Sequence, residues 1–162
     1  MRIRPAAASD WDAIWPFFEQ IVKASETYPY DPAMTYEQGR DLWMFEPPGR
    51  TVVAEDAKGV VLGSATMGPN RPGPGSHIAT ASFMVDAAAR GRGVGRALGE
   101  HVIGWAAGAG YHAMQFNAVV ETNEVAVNLW LALGFEIVGT VPEAFNHPEH
   151  GYVGLHVMYR LL

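Results

Sequence analysis

Ala79-Thr-Ala-Ser-Phe-Met-Val85, Asp86-Ala-Ala-Ala89, Arg90-Gly-Arg-Gly-Val-Gly-Arg96, Ala97-Leu-Gly-Glu-His-Val-Ile-Gly-Trp105: these successive segments decide the fold. The first alternates apolar and small polar residues and reads as a strand. The last has apolar residues at helical spacing. Between them stand glycines 91, 93 and 95, flanked and interleaved by Arg90, Arg92 and Arg96. Glycine lets main-chain N–H groups approach a ligand closely, and a helix N-terminus adds partial positive charge. Three of the chain's 11 basic residues fall in these seven positions, in a protein of net charge −6. That concentration asks for a phosphate. The spacing is neither the G-x-G-x-x-G of a dinucleotide fold nor a P-loop, since no Gly-Lys-Ser/Thr follows.

Working outward, Arg2 to Arg4 alternates as a first strand. Ser9-x-x-Asp12 suggests a helix start, followed by Trp11, Ile14, Phe17, Phe18, Ile21 and Val22 at helical spacing, with Pro16 inside. Thr35-x-x-Gln38 predicts a second capping box, with a short helix to about Phe45. Thr51–Ala54 and Val60–Ala65 read as strands, and Pro69–Gly75 as a stiff loop. Beyond the glycine loop, a helix is expected over 93–109 and a strand over His112–Val120. Asn123–Leu133 reads as a helix stopped by Gly134, Phe135–Thr140 as a strand, Pro142–His150 as polar loop, and Tyr152–Tyr159 as the last strand. No internal repeat or linker interrupts the 162 residues, so a single domain over 1–162 is expected.

Composition narrows the function. Seventeen acidic residues against 11 basic ones argue against nucleic acid or an anionic membrane as partner. With no cysteine there is no disulfide and no thiolate nucleophile or ligand. No apolar run is long enough to span a bilayer, and the N-terminus lacks a signal-peptide core, so a cytoplasmic location is expected.

Arg90, Gly93 and Gly95 fit Arg/Gln-x-x-Gly-x-Gly/Ala, the acyl-CoA pyrophosphate loop of the GCN5-related N-acetyltransferase (GNAT) family. A second segment follows in order: Asn123-x-x-Ala126, Leu129-Trp130, Gly134-Phe135. The chain therefore resembles that family over nearly its whole length. The resemblance implies a mixed α/β fold: a mostly antiparallel sheet, splayed between its fourth and fifth strands, flanked by about four helices. It implies acetyl-CoA as cosubstrate, with no metal, and direct attack by the amine of a small-molecule acceptor. It also leaves room for a homodimer. Pantetheine would lie in the splay against the edge supplied by Met84 and Val85, with its pyrophosphate on Arg90, Gly91, Arg92, Gly93, Val94, Gly95 and Arg96. Asn123 would touch the pantetheine arm, and it is also a good helix N-cap.

Two positions depart from the family pattern. Trp130 stands where a tyrosine is usual; an indole can pack or donate a hydrogen bond but cannot serve as a general acid. It either contacts the cofactor or packs the helix, and thiolate protonation falls to dipoles or to Tyr152 or Tyr159. Thr80 stands where relatives often carry Glu. The base is then His77, Glu121 or a water chain held by Asn117, an amide in an otherwise apolar strand. Glu26, Tyr28, Tyr30, Asn117, His147 and Tyr152 are the expected acceptor-side residues. Asn146-His147-Pro148-Glu149-His150 is too isolated a set to read as a metal site. The Glu26-Thr27-Tyr28 region, the His77–Val85 strand and the Gly139–Pro142 turn resemble the phosphinothricin acetyltransferase-like subgroup, which acts on amino acids and analogues. A peptide or protein N-terminal acetyltransferase and a CoA-binding sensor without turnover are the alternatives.

Overall fold

In the computed structural model, which describes residues 1–162, seven strands form one sheet in the order β1-β2-β3-β4-β5-β7-β6. They are β1 (Arg2–Pro5), β2 (Arg50–Glu55), β3 (Val61–Pro69), β4 (Ile78–Val85), β5 (Ala113–Val120), β6 (Glu136–His147) and β7 (Gly151–Leu161). Four α-helices flank them: α1 (Trp11–Ala24), α2 (Tyr36–Trp43), α3 (Val94–Gly108) and α4 (Glu124–Ala132). Every strand pair is antiparallel except β4–β5.

Period-two alternation assigns the two sheet faces. Val52, Ala54, Leu62, Met114, Phe116 and Met158 join Leu98, Val102 and Trp130 of α3 and α4 in one core. Val53, Val61 and Met84 point the other way, into Trp11, Ile14, Phe18 and Trp43 of α1 and α2. Each layer is apolar because each helix buries one stripe against the sheet.

Local signals fixed most boundaries. Thr35 and Gln38 make the expected reciprocal cap: Gln38 N–H donates to Thr35 Oγ1 (3.3 Å) and Thr35 N–H to Gln38 Oε1 (2.9 Å). The first helix starts differently from the reading of Ser9. A short 3-10 turn over Ala8–Asp10 precedes α1, and Asp10 accepts from the Ala7 N–H at 2.6 Å. Asp10 also grips Arg4, so a contact to β1 decides the cap.

The largest departure is the segment read as polar loop, Pro142–His150. β6 runs on to His147, through a bulge at Val141/Phe145 where Glu143 adopts φ +54°. Its pairing with β7 overrides the loop-like composition. Only the tight turn before Gly151 remains, and it is tied by the His147 Nδ1 atom, which accepts the N–H groups of Glu149 (3.1 Å) and His150 (3.3 Å). No helix is long and apolar enough to cross a membrane.

Candidate active site

β4 and β5 pair at only two positions, Ile78 with Ala113 and Ala79 with Met114. Beyond that vertex they diverge, and β5 carries a bulge between Phe116 and Val119. A gap therefore opens between two strands in the middle of a sheet, leaving main-chain donors and acceptors without a strand partner.

Hydrogen bonds show which residues of β4 face that gap. The His77 carbonyl accepts from the His112 N–H on the β5 side, while the Ile78 carbonyl accepts from Asn70 N–H and the Asp86 N–H reaches Leu62 on the β3 side. Alternation along a strand then turns the main chain of Ala81, Phe83 and Val85 to the gap. Met84 is turned to β3, with its side chain 2% exposed beneath α1 and α2. Of the expected edge pair, Val85 stands at the opening and Met84 does not. Phe83, absent from the expected set, does. Counting alternate residues back from Val85 would have found it.

At the open end of the gap lies the glycine loop. Gly91 and Gly93 adopt φ +74° and +76°, and a Cβ at either would meet nothing within 4 Å. Gly93 is the N-cap of α3 and provides no side chain to cap it. The N–H groups of Gly91, Gly93, Val94, Gly95 and Arg96 consequently donate to no main-chain acceptor, whereas that of Arg92 is held by Ala89. Arg90 and Arg92 are exposed and form no ion pair; Arg96 lies 3.6 Å from Glu100. Unpaired donors at a helix N-terminus thus share one exposed loop with Arg90 and Arg92, an arrangement that can take an anion.

The apolar lining of the gap comes from three rings. Trp130, 6% exposed, lies 4.6 Å from Phe83 on β4 and 4.8 Å from Phe116 on β5, centroid to centroid. The indole thus packs against both diverging strands, and it also constrains α3, since a Cβ on Gly99 would come within 3.0 Å of it. Asn123 caps α4: its Oδ1 accepts from the Ala126 N–H at 3.3 Å. Its Nδ2 donates to no protein group, leaving that end free for a ligand.

On the α1/α2 face, Tyr28 reaches the gap. Its hydroxyl donates to the Phe83 carbonyl (2.6 Å) and accepts from the Phe83 N–H (2.9 Å). Burial, and then the neighbouring Tyr30 hydroxyl, push the Tyr28 phenol well above its ordinary range. Burial likewise raises Tyr30, which stacks on Tyr28 at 5.1 Å. Asn117, in the β5 bulge, accepts from Gln115 Nε2 (2.8 Å) and donates to Asn70 Oδ1 (2.7 Å). This amide strap joins β5 to the loop after β3. Neither Asn70 nor Gln115 carried a recognisable signal, because a partner 47 residues away in sequence makes Asn70 part of the strap.

The remaining expected residues are dispersed. His77 precedes the vertex at the closed end of the gap, exposed, with Nδ1 3.0 Å from the Pro74 carbonyl. That placement does not suit a base acting inside the gap. The Glu121 carboxylate is taken up by the Gly154 N–H, and the Glu121 N–H by the Gly154 carbonyl. It tethers the end of β5 to β7. His147 locks the β6–β7 turn and is 8% exposed, Tyr152 is 69% exposed on that hairpin, and Glu26 is exposed after α1. Three carboxylates or imidazoles converge nowhere. A surface hollow of about 660 Å³ lies between β1, β2 and the end of α2, lined by Arg40, Phe45 and Arg50, away from the gap.

Known proteins share this fold. Residues 15–135 match the family described as Acetyltransferase (GNAT). N-acetyltransferase aca1 of Schizosaccharomyces pombe is 28% identical over 156 residues, covering 87% of this chain and 75% of aca1. A solved GCN5-related N-acetyltransferase from Kribbella flavida superposes with TM-score 0.97 at 66% identity, covering 99% of this chain and 97% of that one. The yncA structure from Salmonella typhimurium, which contains its cofactor acetyl-CoA, superposes with TM-score 0.83 at 26% identity, covering 100% and 94%.

Proposed function

Because the chain belongs to the GNAT family of acetyltransferases, which transfer an acetyl group from acetyl-CoA to an amine, we propose that its acceptor is a small molecule, an amino acid or analogue. The carrying observation is the bulk on the two strands of the gap. Tyr28, stacked with Tyr30, is bound to Phe83 of β4, and the Asn70–Asn117–Gln115 strap lies on β5. A compact amine suits that opening better than an extended peptide.

The residues fit the cosubstrate. Arg90, Arg92 and the free N–H groups of 91 and 93–96 would hold the pyrophosphate. The Val85 main chain would pair with the pantetheine arm as an added strand does. Asn123 Nδ2 would donate to the arm, and Trp130 would pack on it. Acetyl-CoA supplies the thioester whose carbonyl carbon the amine attacks. Trp130 cannot give a proton to the departing sulfur, so the C–S bond breaks to release CoA as thiolate, which takes its proton from water. No carboxylate replaces Thr80, His77 lies past the vertex, and Glu121 serves Gly154. Deprotonation of the acceptor ammonium therefore runs through water held by Asn117 and open main-chain carbonyls.

Thiol release from acetyl-CoA across a panel of free amino acids, their analogues and short peptides tests this. Turnover with free amino acids and none with peptides is expected. The reverse pattern assigns a peptide acceptor, and binding without turnover assigns a sensor.

A further inference from the structure

We infer that Tyr28 is the stop against which the acyl group of the thioester ends, so that it sets the acyl-chain length this protein accepts. The inference rests on the pantetheine arm running along β4, as above.

Between the glycine loop and the vertex, the gap-facing main chain of β4 belongs to Val85, Phe83 and Ala81. Phe83 is already occupied, since one hydroxyl satisfies both its N–H and its C=O. An arm entering from the loop pairs with Val85 and arrives at Phe83 two residues on, roughly 7 Å along the strand. There it meets the Tyr28 side chain. The acyl carbons lie at the leading end of that arm, so each added methylene is driven towards the phenol ring.

The ring is poorly placed to yield. Tyr30 stacks on it at 5.1 Å and Trp43 abuts it edge-on at 6.4 Å. Trp43 is 0% exposed, and its indole N–H is fixed to Ser64 Oγ at 2.9 Å. Ser64 Oγ in turn donates to the Val52 carbonyl at 2.9 Å. Behind Tyr28 stands a wall anchored in two central strands. A protonated phenol with both hydrogen-bonding functions satisfied has no polar reason to leave.

The test uses binding, so the identity of the acceptor does not enter. Calorimetry would compare CoA, acetyl-CoA, propionyl-CoA and butyryl-CoA on wild type, Tyr28→Phe, Tyr28→Leu and Tyr28→Ala, with each thioester referred to CoA on the same variant. A methylene forced into a filled pocket costs about 10–200-fold. Wild type should bind butyryl-CoA at least about tenfold more weakly than acetyl-CoA. Tyr28→Phe keeps the ring and should keep that gap. Tyr28→Leu should narrow it and Tyr28→Ala should reduce it to within about threefold. Tyr28→Leu retains apolar filling should the alanine variant fail to fold. Equal binding of acetyl-CoA and butyryl-CoA by wild type overturns the inference, as does an unchanged gap in folded Tyr28→Leu. Failure of wild type to bind CoA itself would instead strike the cofactor site.

Discussion

Replacing Gly93 by Val separates the anion site from the fold that carries it. Gly93 adopts φ +76°, where a Cβ costs about 1–2 kcal/mol, and a β-branched residue sits towards the upper end. No atom lies within 4 Å of the added Cβ, so there is no clash to add. For a chain of 162 residues, 1–2 kcal/mol corresponds to a Tm lowered by roughly 2–8 °C. The effect on ligand is larger. The branched side chain stands in open space on the loop that carries the free N–H groups of Gly93, Val94 and Gly95, where it would obstruct a bound phosphate. Losing two hydrogen bonds to a charged phosphate costs about 3 kcal/mol or more, which is over a hundredfold in Kd. Calorimetric titration with CoA, beside a thermal melt, reads both quantities. A melt lowered as the strain demands, with CoA affinity within about threefold of wild type, would refute the loop as the phosphate site. Arg90→Ala is the charge-only counterpart: no change in Tm and about 1.5–3 kcal/mol of lost affinity, diminishing as salt rises.

Asn123→Asp keeps the helix cap and should leave the melt unchanged while weakening CoA, because it removes the free Nδ2 donor and adds a negative charge; Asn123→Ala should lower stability by about 1 kcal/mol as well. Normal CoA affinity in the Asp variant would leave Asn123 as a cap alone. Gly99→Ala places a Cβ 2.7 Å from Leu133 Cδ1 and 3.0 Å from Trp130, so overpacking should destabilise by about 1–3 kcal/mol in a denaturant titration. An unaltered midpoint would mean that α4 moves freely against α3. Asp10, hydrogen-bonded to Arg4, is held below its ordinary value of 3.8. Its contribution is complete above that value and is lost as pH falls through the lowered native one, because the unfolded chain takes up the proton first. Asp10→Asn should therefore be less stable than wild type at neutral pH and lose less on acidification below about pH 4; parallel curves for the two proteins would show that Arg4 does not hold it.

What the sequence by itself determined is local. Glycines at 91 and 93 announce left-handed backbone before a helix, because few other residues adopt that φ without strain. Thr35 with Gln38, and Asn123 ahead of α4, announce helix starts, because the capped N–H lies three residues away. Alternation from Ala79 to Val85 announces a strand, and that strand followed by this loop and helix announces the fold. Tertiary structure alone decided the rest, and in each case the deciding contact is remote in sequence. The register of β4 against β3 turns Phe83 rather than Met84 to the gap. Pairing with β7 makes a strand of Pro142–His147. The Glu121 carboxylate meets its donor 33 residues on, and Tyr28 meets Phe83 across 55. His77 looked like a base by its chemistry, but the vertex at Ala79 and Met114 closes the gap before reaching it. Backbone preference is written within a few residues of each position. The partner a side chain finds is set by how whole layers pack, so the conformation of the glycine loop was legible in the chain and the partners of Tyr28, Asn117 and Glu121 were not.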